Sequence, residues 1–113
     1  MKRGDVVLVV MPGDYGKARP ALVVQSEDVT DAGYDSVVVC PMTTFASGGE
    51  NMRLEVSPDR GNGLTSRSEI MVEKIAGLSR QRIRRTIGSL DSATMRSVDQ
   101  ALLMLLGIGE QAA

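Results

Sequence analysis

At 113 residues, with 42% apolar and 24% charged side chains, the chain is sized and composed for one globular domain; two domains and disorder are both excluded. It has no histidine and one cysteine, Cys40, which removes imidazole acid–base chemistry, internal disulfides and the usual zinc sites. A net charge of −1 argues against a general basic coat for nucleic acid, while Arg80, Arg82, Arg84 and Arg85 leave room for a local basic patch.

The first half reads as β-structure. Residues 6–11 (VVLVVM) form a β-branched run, expected as a strand buried on both faces. Residues 12–16 (PGDYG) are turn chemistry, with Asp14 and Tyr15 between two glycines. Residues 20–25 and 36–42 are expected as strands, and the polar stretch 26–34 between them as a loop or at most one helical turn. Residues 46–50 (ASGGE) form a flexible connection, after which Met52, Leu54 and Val56 alternate with Arg53 and Glu55 as in a half-exposed strand. Residues 57–64 carry a proline and two glycines and read as a loop. Residues 69–75 then make a strand with Ile70 and Val72 on one side.

Ser79 is placed to cap a short turn, and residues 86–90 make a last short strand. Asp91 caps a helix whose Met95, Val98, Leu102 and Leu105 recur at spacings of three and four, and Gly107 closes it. The expected fold is mainly β with α. It is a small, curved, barrel-like antiparallel sheet of six or so strands with a C-terminal amphipathic helix across one face, in a single domain over residues 1–113. Residues 1–5 run straight into a strand with no signal peptide, and no apolar run is long enough to span a bilayer, so a cytoplasmic address is expected.

The chemistry centres on residues 16–24, GKARPALVV, where Arg19 sits against Pro20 at the mouth of an apolar strand. Together with Arg3-Gly4-Asp5, this stretch resembles the opening of the MazF/PemK family of toxin endoribonucleases. Residues 38–44 (VVCPMTT) are similar to that family's strand ending in a catalytic threonine. Residues 68–75 (SEIMVEKI) and 78–83 (LSRQRI) resemble its last strands, and Asp99–Leu102 with Leu106-Gly107 its closing helix. The resemblance implies an SH3-like barrel of the CcdB/PemK type and the toxin half of a type II toxin–antitoxin pair. It further implies metal-independent, sequence-preferring cleavage of single-stranded RNA, in which a ribose 2′-hydroxyl attacks the neighbouring phosphate.

In that reading Arg19 and Thr43 are catalytic, and Glu73 aligns with an acidic residue of family members and is the candidate base. No metal and no cofactor are expected. The implied partners are the RNA, a second copy of the chain in a homodimer, and an antitoxin whose acidic, disordered tail folds across the RNA groove; no membrane is involved. Arginine suits the phosphoryl group, because its planar fork donates two hydrogen bonds and stays charged at any physiological pH. The same high pKa, above about 12 for an arginine, makes it a poor base. Around this centre, Lys17 and Thr44 are candidates for contact with RNA, Tyr15 for stacking on a base and Ser47 for base recognition.

Each residue has a plainer reading as well. An arginine before a proline is commonly an exposed turn residue, Thr43-Thr44 a turn-closing hydroxyl pair, and Glu73 a solvated acid or a partner of Arg67. The 80–85 cluster reads as a solvated basic face, and Cys40 as a packed β residue. Some relatives carry an arginine where this chain has Met71, so a non-catalytic member of the fold stays open. The other alternative is a CcdB-type gyrase-inhibiting toxin; Gly107-Ile108 matches its closing dipeptide, but there is no tryptophan and five further residues follow.

Overall fold

The computed structural model describes residues 1–46 and 52–109. Among the described residues seven strands and two α-helices follow one another. The first strands are β1 (Asp5–Val10), β2 (Ala18–Val23) and β3 (Ser36–Thr44), with the one-turn helix α1 (Glu27–Asp31) between β2 and β3. Then come β4 (Arg53–Val56), β5 (Ser68–Met71), β6 (Ala76–Ser79), β7 (Ile83–Ser89) and the helix α2 (Ser92–Leu106). All ladders are antiparallel, in the order β4-β5-β3-β2-β1-β7, with β6 also paired to β3. The sheet is curved and open: among the described residues no ladder joins β4 to β7.

Strand alternation sorts the apolar runs into two cores. Val6, Leu22, Cys40, Met42 and Ile70 pack with Val98 of α2 on one face, while Val7, Val9, Ala21, Val23, Val37 and Val39 pack with Leu78 on the other. That is why β1, β2 and β3 read as continuous apolar stretches: both of their faces are covered. Bulges in the β1–β7 ladder, between Val6 and Val7 and between Leu8 and Val9, add local twist and help curl the sheet.

The nine residues of β3 serve three partners. Residues 36–39 pair with β6, 39–41 with β2, and 42–44 with β5. This overturns the expectation of one strand over residues 69–75. The strand stops at Met71, and Val72–Lys74 form a 3-10 turn. The register gives the reason. Met42 faces Ile70 and Val39 faces Ala76, so three steps on β3 match six on the other segment, and three residues are extruded as the turn. The last strand is also longer than expected, starting at Ile83.

Local signals at the helix ends behave as their chemistry dictates. The Asp91 carboxylate accepts from Thr94 N at 2.7 Å, and Gly107 takes the left-handed conformation (φ 67°) that releases the chain from α2. Ser79 caps the Arg80–Arg82 turn by accepting from Gln81 N. The N-terminal Arg3-Gly4-Asp5 is a staple. Arg3 donates to Val24 O (2.9 Å) and to Asp99 of α2 (2.6 Å), and Gly4 O accepts from Leu90 N (2.9 Å).

Candidate active site

The site lies where β2 and β3 part. Their ladder runs from Val23–Val39 to Ala21–Pro41 and stops. Beyond it β2 stays with β1, pairing Arg19 with Val9 and Ala18 with Val10, while β3 pairs Met42, Thr43 and Thr44 with Ile70, Glu69 and Ser68 of β5. Pro20 and Pro41 stand at this fork, and neither has an amide hydrogen to give to a ladder. A cleft of about 300 Å³ opens between the diverging strands. Lys17, Arg19 and Pro20 line one side, Met42, Thr43 and Thr44 the other, and Leu64, Thr65, Ser66 and Ser68 form a third wall. Arg19 and Thr43 continue the alternation of Ala21–Val23 and Val39–Pro41, which puts both on one face of the sheet.

Arg19 is held by a fork. Its Nε donates to Asp14 Oδ2 at 2.7 Å and its Nη2 to Oδ1 at 3.1 Å, with both side chains partly buried. Asp14 is fixed in turn by a tight loop, its N donating to Met11 O and its O accepting from Lys17 N. Of the five N–H donors on a guanidinium, this pairing uses two and leaves three. Tyr15 takes a left-handed backbone (φ 54°) at the tip of the loop and is fully exposed. Among the described residues the Thr43 hydroxyl has no hydrogen-bond partner, and neither does the Lys17 ammonium.

Glu73 is not brought to this cleft. It accepts from Arg53 Nε at 2.9 Å through Oε2, while its Oε1 is buried and has no hydrogen-bond partner among the described residues. Arg53, opposite Met71 in the β4–β5 ladder, also donates to the fully buried Glu69 at 3.0 Å. Its hydrogen bonds to Glu69 and Glu73 raise the Arg53 pKa and hold its charge. Arg67 pairs with Glu55 rather than with Glu73, and lies 3.7 Å from the Phe45 ring centroid. That ion pair holds the Glu55 carboxyl below its ordinary value and raises the Arg67 pKa.

The arginine cluster is divided in use. Arg80 donates to Tyr34 O (2.7 Å) and Thr30 O (2.5 Å), fastening α1 to the sheet, and Arg82 donates to Val10 O, while Arg84 and Arg85 are exposed on β7. Burial pushes the Cys40 thiol up to about 12, leaving it an inert core group. Ser47 lies outside the described residues. Among those residues no three His, Cys, Asp or Glu side chains gather as a metal-binding set, and no helix is long and apolar enough to cross a membrane.

Two parts of the site were missed in the sequence. Asp14 reads there only as a loop tip, although an acid five residues before the arginine in a glycine-bounded turn is a usable signal. Thr65 and Ser66 carry none, because Thr-Ser in a polar stretch is ordinary loop composition.

The architecture is that of known toxin structures. Mycobacterium tuberculosis toxin MazF-mt6 superposes with a TM-score of 0.77 at 22% identity, covering 93% of this chain and 98% of that one. An endoribonuclease from a mycobacterial species, in complex with its cognate antitoxin, superposes at 0.78 with 22% identity, covering 96% and 97%. In sequence, the probable endoribonuclease MazF of Mycolicibacterium smegmatis is 36% identical over 109 residues, 96% of this chain and 98% of the relative. The class is thus a small curved-sheet toxin of the endoribonuclease kind. Residues 2–106 match the family described as PemK-like, MazF-like toxin of type II toxin-antitoxin system, and the chain belongs to that family.

Proposed function

We propose that this toxin cleaves single-stranded RNA at the β2–β3 fork, without a metal, by attack of a ribose 2′-hydroxyl on the adjacent phosphorus. The O2′–P bond forms as the P–O5′ bond breaks; the 2′-hydroxyl loses its proton and the 5′-oxygen gains one. The observation that carries the reading is the meeting of Arg19 and Thr43 in one cleft on one face, from strands paired through only three residue pairs.

Arg19, oriented by Asp14, directs its remaining donors at the phosphoryl oxygens, and the unengaged Thr43 hydroxyl adds another. Preorganised donors of this kind stabilise charge that develops in the transition state, and losing one typically lowers the rate by about 10²–10³. Lys17 and Thr44 at the rim hold the flanking backbone, and Tyr15 stacks on a base. Glu73, held by Arg53 away from the cleft, takes a structural role in place of the base role expected for it. Catalysis in this reading rests on charge stabilisation and orientation.

The toxin acts in the cytoplasm as a homodimer. Leu103, Met104, Leu106 and Ile108, exposed around the end of α2, supply apolar surface for a second copy. An antitoxin with an acidic, disordered tail neutralises it by covering the cleft rim, where Lys17 and Arg19 attract carboxylates.

The test is incubation of purified protein with single-stranded RNA in excess EDTA, beside Arg19→Ala and Thr43→Val. Wild type should cut, leaving 5′-hydroxyl ends, and each variant should be slower by about 10² or more. Absence of cutting across diverse RNAs, with gyrase inhibited instead, overturns the assignment.

A further inference from the structure

The third wall of the cleft has an unusual build for a loop. Asn62 is buried (1% exposed) and knots the chain, with Oδ1 accepting from Leu64 N (3.0 Å) and Asp59 N (3.2 Å) and Nδ2 donating to Ser57 O (2.9 Å). Downstream, Ser68 Oγ donates to Ser66 O at 2.8 Å, and Phe45 N to Arg67 O at 3.0 Å. The Leu64 side chain is anchored in the core. Between these pins stand Thr65 and Ser66, both exposed, both lining the same cleft as Arg19, and neither hydroxyl partnered among the described residues.

A segment fixed at both ends that presents two idle hydroxyls to a cleft is preorganised for recognition. The cleft volume of about 300 Å³ is at the small end for ligand sites, so a group touching this wall while a phosphate sits at Arg19 belongs to an adjoining nucleoside. The hydroxyls reach that nucleoside's base edge, which in single-stranded RNA is free to hydrogen-bond.

We propose that Thr65 and Ser66 are specificity-determining residues that read the base beside the scissile phosphate. The proposal rests on the nuclease reading above and adds the element that selects the cleavage site. A hydroxyl donates and accepts, so each one matches a particular edge pattern only because the pins fix its position.

The test is sequencing of cleavage sites in a randomised single-stranded RNA pool, using wild type, Thr65→Val, Ser66→Ala and the conservative Thr65→Ser. Thr65→Val and Ser66→Ala should still cut. Base preference at one position beside the cut should fall roughly three- to tenfold for each hydroxyl removed, the range of one neutral hydrogen bond. Thr65→Ser should keep the wild-type preference, and all four proteins should melt within a degree or two of each other, since both side chains are exposed. Preference unchanged in Thr65→Val and Ser66→Ala, whatever their overall rate, overturns the proposal and leaves the nuclease reading intact. No cutting by wild type overturns that reading and this proposal together.

Discussion

The Asp14–Arg19 fork invites a double-mutant cycle. Asp14→Ala removes two charge-assisted hydrogen bonds, at 2.7 and 3.1 Å, and frees the guanidinium to sample other rotamers. The pair is partly exposed (35% for Arg19, 20% for Asp14), so its contribution is discounted from that of a buried ion pair to about 1.4 kcal/mol, a tenfold loss in kcat/KM. Arg19→Ala should cost about 10²–10³. If Asp14 acts only by orienting Arg19, then Asp14→Ala in the Arg19→Ala background costs nothing further, and the double variant equals the single one. Independent roles would multiply the effects instead, placing the double variant about tenfold below Arg19→Ala. Single-turnover cleavage of one short RNA, with protein in excess, measures all four corners. Multiplicative losses would refute the positioning role and place Asp14 in the chemistry on its own account.

Three further expectations follow from the geometry. Glu73→Gln should lower the melting temperature by several degrees, because it weakens the Arg53 pairing, yet leave cleavage within about threefold; a fall of 10² in rate would return Glu73 to the reaction. In Gly88→Ala the added Cβ would lie 2.4 Å from Gly61 O and from the Asn62 carbonyl carbon, a clash with backbone that should cost roughly 1–3 kcal/mol in urea denaturation; wild-type stability would show that the 61–63 loop is free to move aside. Glu55 and Asp91 have carboxyls held below their ordinary values of 4.5 and 3.8, by Arg67 and by the Thr94 backbone N–H respectively. Their stabilisation is complete above those values and is lost as pH falls through the lower folded-state values. The urea midpoint should therefore drop on acidification below about pH 4.5, and less steeply in Glu55→Gln with Asp91→Asn; identical slopes would exclude both groups.

Much of the scaffold was legible because its causes are local. The β-branched run of β1 announces a strand covered on both faces, β2 and β3 are legible as strands, and Asp91, Ser79 and Gly107 mark ends by their own side chains or backbone freedom. The helix stripe Met95–Val98–Leu102–Leu105 names its buried face directly. Residues 68–75, by contrast, read as one strand, since the break at 72–74 arises from β3, thirty positions away, which offers its two halves in different registers. Arg19 and Thr43 were legible as a pair through the order of their motifs. The partner of Glu73 was not: Arg53 lies on another strand, and its role there depends on the β4–β5 register. The pinned wall at Thr65 and Ser66 was hidden for a similar reason, because Asn62 looks like any turn asparagine until its side chain is seen to be enclosed.

The parting of β2 from β3 divides the molecule into a fixed part and an adjustable one. Arg19 and Thr43 are carried on laddered backbone, whereas the rims around them, residues 12–17 and 64–67, belong to no ladder. Exchanging residues on those rims would alter what enters without unravelling a single strand pair. On the reading proposed above, small edits at this edge retarget one chassis from one RNA sequence to another, and a laboratory wishing to redirect the toxin should begin there and leave the laddered sheet untouched.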